Sequence, residues 1–309
     1  MSGRPVLFAG CLAACAVAAA CANTGETTHP FLPGRFPDAS AVSDAKTLLY
    51  ASDYANGLVN IYDERGTHQQ PIAQFELRWG QPVGMATDGA GNLWVASEPG
   101  GVYEYPPGGT ISSFSFGAFV PYDLAFGPTD MYLTDTTSPW VSVYAPGQYE
   151  PLATIVNTAF HHVYGVAFDS KASLYVSYAD PAGRGRIRRY SAGDYPPGNN
   201  GQGIDLDLKS GTYYGIAVDA HDNLVVSNTY AASIDVFPPG AHTPSQRFGR
   251  HGSPWFLTFD RTKTHLFVAD YRDNVIDEYS YPSGKLINTI PGNANGRFVG
   301  VAIGPAALP

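Results

Sequence analysis

Residues 213–240 read YYGIAVDAHDNLVVSNTYAASIDVFPPG. Three apolar, β-branched runs (GIAV, LVVS and IDVF) are separated by AHDN and NTYAAS and stopped by Pro-Pro-Gly. Short runs of this kind, bounded by Asp, Asn, Gly and Pro, read as strands joined by tight turns. The same three-run pattern recurs along the chain. The first run appears as GMATD, DLAFG, GVAFD, GIAVD, FLTFD and GVAIG, beginning at 84, 123, 165, 215, 256 and 300, so successive copies lie 39 to 50 residues apart. The second appears as LLYASD (48–53), NLWVAS (92–97), MYLTD (131–135), SLYVSY (173–178), NLVVSN (223–228) and HLFVAD (265–270). The third appears as VNIYD, VYEY, VSVY, IRRY, IDVF and IDEY, each followed by a turn and a weaker fourth run such as ISSFSF (111–116) or KLINTI (285–290).

A repeat of this period without helical segments predicts an all-β, six-bladed β-propeller with four-stranded blades. The N-terminal unit lacks its first strand, and GVAIG (300–304) is left over at the C-terminus. The reading therefore closes the ring by joining the C-terminal strand to the N-terminal blade, which removes the free edges of an open array. The propeller is assigned to residues 45–309.

The best copies, GIAVDAHDNLVVSN and GMATDGAGNLWVAS, resemble NHL repeats. The chain is more loosely similar to the gluconolactonase/senescence-marker superfamily of six-bladed propellers, over about residues 46 to 304. That resemblance implies a functional mouth at one end of the central channel. It gives architecture more firmly than activity, because many functions share this fold.

The positions just before each inner strand aim side chains at the mouth. They are Val83, Tyr122, Tyr164, Tyr214, Trp255 and Val299. In the gluconolactonase family, Asn and Asp at such positions help hold a catalytic divalent metal. Aromatic rings cannot replace anionic oxygen ligands. The expectation is a binding or interaction module, with Tyr122, Tyr164, Tyr214, Trp255, Tyr54, Tyr178, Tyr230 and Tyr271 forming an aromatic cup for a small molecule, glycan or peptide. The alternative is that the rings plug the channel.

Recurring carboxylates have a structural reading. Asp88, Asp169, Asp219 and Asp260 end the first strand, where they can accept turn amides. Asp53, Asp135, Asn228 and Asp270 end the second strand at the opposite end of the blades and cap turns there. A rival reading takes Glu98, Asp135, Asp180 and Asn228 as ligands of Ca²⁺ or another divalent ion in a hydrolase or lactonase. A second rival makes the chain a lyase working through His161, His162 or His251. The run GRGRIRRY (183–190) gathers Arg184, Arg186, Arg188 and Arg189, and reads as a solvated blade edge or a dock for an anion. Ser43-Asp44-Ala45-Lys46 matches S-x-x-K without the partner motifs that chemistry requires. No nucleotide-binding glycine motif is present in the sequence.

Residues 1–21 read as an export signal with a lipobox: Arg4, an apolar run from Val6 to Ala20, and Ala18-Ala19-Ala20-Cys21. Cys21 is the better lipidation site because a longer apolar run precedes it and polar residues follow. Cys15, after Leu12-Ala13-Ala14, is the other candidate, and simple secretion by cleavage after Ala22 is the alternative. Residues 22–44 read as a flexible tether rich in Thr, Pro, Ala and Gly. The expected location is the bacterial envelope or beyond, with membrane contact only through the lipid. All three cysteines lie in this segment, so no disulfide framework supports the propeller. A net charge of −9 argues against nucleic acid as a partner.

Overall fold

The computed structural model describes residues 47–64, 70–196, 201–206, 208, 211–249 and 252–305. The export signal, Cys21, Cys15, the tether and His251 lie outside the described residues.

Six antiparallel four-stranded sheets form the blades. Their inner strands are Phe298–Pro305 in blade 1, Gln81–Thr87 in blade 2, Pro121–Phe126 in blade 3, His162–Phe168 in blade 4, Tyr213–Val218 in blade 5 and Pro254–Phe259 in blade 6. Blade 1 is built from both ends of the chain. Phe298–Pro305 pairs antiparallel with Thr47–Asp53, in register from Thr47 against Pro305 to Asp53 against Phe298. The predicted closure is therefore observed.

Each blade has an apolar face on both sides, and each buries it against its neighbours. One shared cluster joins blades 1 and 2 through Tyr50, Val59, Ile61, Met85, Val95 and Tyr103. Another joins blades 5 and 6 through Val225, Ile234, Leu257, Leu266 and Val268. This is why the second strands are almost continuously apolar, with Leu224, Val225 and Val226 all buried.

The recurring carboxylates fix the connections. On one face, Asp219 accepts the His221 and Asn223 amides at 2.8 and 2.9 Å, and Tyr281 of blade 6 donates to it at 2.7 Å. Asp88 holds the Ala90 and Asn92 amides in the same way, and the Trp94 indole as well. On the other face, Asp135 accepts the Val120 amide at 2.8 Å, and Asp270 accepts the Gly252 amide at 2.7 Å. Asp53 accepts the Arg297 amide at 2.9 Å. Each of these three ties the loop after a second strand to the chain entering the inner strand of its own blade.

Candidate functional site

Each inner strand begins at the face where the second strands end. Near that start its pairing is interrupted, with register shifts at Pro82/Met85, Pro121/Leu124, Val163/Val166, Tyr213/Ile216 and Pro254/Leu257. Two residues in each gap leave the ladder, and a bulge of this kind re-aims a side chain. The first of each pair is Val83, Tyr122, Tyr164, Tyr214 or Trp255, which turns toward the axis. The second is glycine in most blades because neighbouring inner strands nearly touch there. A Cβ on Gly215 would lie 2.5 Å from the Trp255 carbonyl, and one on Gly300 would lie 2.0 Å from the Val83 carbonyl.

The rings gather as the sequence implies, and they do two things. Tyr122 and Phe256 are buried, with Val83, at the centre of one cluster. Tyr122 starts in blade 3, yet its ring lies 6.0 Å from Trp255 and 5.5 Å from Phe256 of blade 6. In a six-bladed ring those blades are opposite, so Tyr122 crosses the axis and closes the channel. Above it Tyr54, Tyr164, Tyr214 and Trp255 are only partly buried. Trp255 is stacked between Tyr214 and Tyr271, at 4.8 Å from each. Tyr164 continues the arc at 4.6 Å from Tyr214, and His162 lies 6.5 Å beyond Tyr164. The Arg297 guanidinium caps Tyr271 at 5.8 Å. The expected cup is thus a plug with a stacked arc of rings over it.

Stacking occupies ring faces. Both faces of Trp255 are taken by neighbours, so a ligand meets ring edges and hydroxyls rather than an open plate. Burial pushes the Tyr122 hydroxyl well above its ordinary value and the Tyr164 hydroxyl up to about 12. Burial also raises Tyr214, and raises Tyr54 with help from the nearby Glu98 charge. All four stay neutral donors and acceptors near neutral pH.

Two expected ring residues lie elsewhere. Tyr178 is 1% exposed inside blade 4, where it packs at 4.7 Å from Phe160 and donates to Asp205 at 2.8 Å. As the residue after Ser177 in a strand it points to the sheet surface, away from the axis. Tyr230 is 78% exposed at the tip of a blade 5 loop, beside Arg184, Arg186 and Thr212.

Asp180 accepts the Ala182 and Arg184 amides and pairs with the Arg184 side chain at 2.8 Å. The Asn228 amide donates to Asp235 at 3.0 Å. Burial, then the charge of Asp135, raises the Glu98 carboxyl. Among the described residues, no three His, Cys, Asp or Glu side chains converge as a metal-ligand set. His161 and His162 contact each other at 4.3 Å, and the His162 ring nitrogen lies 2.5 Å from the Thr136 carbonyl. In the Arg run, Arg188 pairs with Asp205 at 2.6 Å.

Sequence reading missed Asp123. It occupies the bulge position that is Gly84, Gly165, Gly215 and Gly300 in four other blades, and that mismatch was the available signal. Asp123 is 8% exposed and accepts the Val166 amide of blade 4 at 3.1 Å. It lines the central channel immediately beneath the Tyr122 and Phe256 plug. Burial pushes its carboxyl up to about 7 against the opposing pull of the Val166 and Leu124 amides.

No family model matches the chain, and no curated protein matches it. Solved structures do. One chain in a structure described as the nidogen/laminin complex is 15% identical, with TM-score 0.67, covering 85% of this chain and 100% of that one. A protein of unknown function from Bacteroides caccae is 11% identical, with TM-score 0.65, covering 84% of this chain and 99% of that one. The likeness is one of fold. The six-bladed, four-stranded fold is shown; the expected kinship with NHL repeats and gluconolactonases is matched by no family model.

Proposed function

We propose that this chain is an exported interaction module that engages a peptide or protein surface with its ring-bearing face. The observation that carries the reading is that four of the five exposed aromatic side chains among the described residues lie on one face, Tyr149 at 64% exposed being on the other. Trp79 is 65% exposed, Phe119 78%, Trp140 38% and Tyr230 78%. All four sit on the face that holds the Tyr214–Trp255–Tyr271 stack, Trp140 as the first residue of a third strand and the others in connections. Trp79 and Phe119 precede inner strands, whereas Trp140 and Tyr230 follow second strands.

Aromatic side chains dominate the buried centres of interfaces, and three of the four tryptophans of this chain lie on this one face. The sealed channel beneath gives the surface a rigid floor. A spread reaching from Trp79 to Tyr230 suits an extended partner better than a metabolite. A propeller of similar fold was solved in a nidogen/laminin complex, which supports the same reading by analogy of fold alone. Export through residues 1–21, with a lipid on Cys21, would present this face outside the cytoplasm.

The test is binding of an arrayed peptide library and a set of soluble oligosaccharides to the purified chain. Trp79→Ala and Phe119→Ala should each weaken a selected peptide about tenfold or more. Ile111→Ala, at an 81% exposed residue on the opposite face, should leave it unchanged. Equal affinity in all three variants would remove the ring face from the reading. Tight binding of an oligosaccharide and of no peptide would replace the partner class.

A further inference from the structure

The channel beneath the rings is a separate site. A cavity of about 330 Å³ is lined by Asp123, Leu124, Val166, Ile216, Phe256 and Val301, among other residues of the six inner strands. Each inner strand is the last strand of its sheet and is paired on one side only. Its free edge therefore turns main-chain carbonyls and amides that have no strand partner toward the axis. Tyr122 and Phe256 close the ring end. The channel opens at the far end, where the partly exposed Thr87, Phe126, Phe168 and Phe259 end their strands and Ile303 lies near the end of its own.

One carboxylate lies at the closed end, and the side chains lining the channel include no Lys, Arg or His. A buried carboxylate without a counter-charge is costly, and it must take up either a proton or a cation. Ring assembly does not demand it, because four other blades are built with glycine at that position. The donor set also discriminates among cations. Hard divalent ions take six to eight oxygens, commonly with several carboxylates, and here there is a single acidic group. A primary ammonium matches one negative charge and brings three donors, one for the carboxylate and two for strand carbonyls.

We propose that the closed end of the central channel binds the primary ammonium group of a small molecule, with Asp123 as its counter-ion. The ligand enters from the face opposite the rings. Its carbon skeleton lies along the channel toward Phe126 and Phe259.

The groups facing Asp123 keep the pH dependence simple. The Tyr122 phenol adjoins it on its own strand, the phenols of Tyr164 and Tyr214 lie with Glu98 on the ring side of Tyr122, and the other side chains lining the channel carry no titratable group. The Thr134 hydroxyl accepts the Asp123 amide at 2.9 Å and does not titrate. The phenols are raised and stay neutral between pH 6 and 8.

The test is calorimetric titration of the full chain with n-butylammonium chloride at pH 8, with n-butanol, KCl and CaCl₂ as separate arms. Saturable binding of butylammonium alone is expected. Asp123→Asn should weaken it at least tenfold, whereas Trp79→Ala should leave it intact. Wild-type affinity should fall about tenfold from pH 8 to pH 6 as the carboxyl takes a proton. Failure of butylammonium to bind, unchanged affinity in Asp123→Asn, or binding of CaCl₂ or KCl in its place would each overturn the assignment. Should Asp123→Asn not fold, the wild-type profile decides, and affinity that is flat between pH 6 and 8 overturns it.

Discussion

The Ser177 hydroxyl donates at 2.7 Å to the Tyr214 carbonyl in the next blade. The same oxygen accepts the Gly165 amide at 2.7 Å. Ser52 does the same between the Gly300 amide and the Val83 carbonyl, at 2.7 Å each. Thr134 donates to the Tyr164 carbonyl at 2.6 Å, and Ser227 donates to the Trp255 carbonyl. A hydroxyl in the second strand thus anchors the bulge of its own blade to the ring residue of the next. Ser177→Ala leaves a buried amide and a buried carbonyl without this partner, so a loss of about 1–3 kcal/mol is expected. Urea denaturation measures it. Trp255 fluorescence should change as well, because Tyr214 stacks on that indole. A variant within about 0.5 kcal/mol of wild type would show that the hydroxyl is not a structural tie.

Close approach of inner strands makes Gly215 a second sensitive point. An added methyl would sit 2.5 Å from the Trp255 carbonyl and 2.7 Å from the Phe256 Cα, both backbone atoms. The backbone of the neighbouring inner strand cannot turn aside as a flexible side chain would. Gly215→Ala should cost about 1–3 kcal/mol, as overpacking does, and should separate the Tyr214–Trp255 stack. Gly117→Ala is the control, since a methyl added there would meet nothing within 4 Å. Equal melting temperatures for the two variants would contradict the packing account.

Blade number, strand order and ring closure were legible because strand pairing repeats with the sequence. Each D-x-x-x-N or equivalent turn names its own hydrogen bonds, as at Asp88 and Asp219. The ring residues were legible by position, but their depth was not. Whether Tyr122 lines an opening or crosses it depends on side-chain direction at a bulge, and no periodicity reports that. Tyr178 was misplaced for a related reason: one residue after the Ser177 tie, alternation turns the ring into the blade. Asp123 broke the glycine pattern in plain view, yet its meaning required the channel beneath the rings.

Buried carboxyls held above their ordinary values, Asp123 and Glu104 foremost with Glu98 and Glu278 in the same direction, make stability fall with rising pH between 5 and 8. Burial pushes Asp123 from 3.8, and Glu104 from 4.5, up to about 7. The unfolded chain releases these protons first, so over this window the native state holds more of them. Their contribution to stability is fully present below the unfolded values and is lost as pH rises toward 7. Asp219 and Asp260 run the other way: burial would raise them, but hydrogen bonds outweigh it and hold them below 3.8. Their contribution is lost only in strong acid, outside the window. The urea midpoint of the wild type should therefore fall from pH 5 to pH 8. Asp123→Asn should fall less and gain on the wild type by roughly 2–4 kcal/mol at pH 8. Parallel profiles for the two proteins would mean that Asp123 is not the buried titrating group.

Closure of the ring by the last strand carries the most severe prediction. Phe298 and Val299 are fully buried, and Val301 and Ala302 are each 2% exposed. Burying a Val or Phe side chain stabilises by about 1.5–3 kcal/mol, so three such side chains contribute about 5–9 kcal/mol. Whole domains are stable by about 5–15 kcal/mol. Ending the chain at Asn295 would remove that contribution and would expose the free edge of Thr47–Asp53 and the inner side of blade 2. Such a chain should fail to unfold cooperatively and should aggregate through the bared strand. Phe298→Ala, which keeps the pairing, should cost about 3–5 kcal/mol and remain folded enough to measure. A synthetic peptide of residues 296–305 added to the shortened chain should restore a cooperative melt, because the missing element is a single strand with a defined partner. A shortened chain that melts cooperatively within a few degrees of full length would show that blade 1 stands without its inner strand.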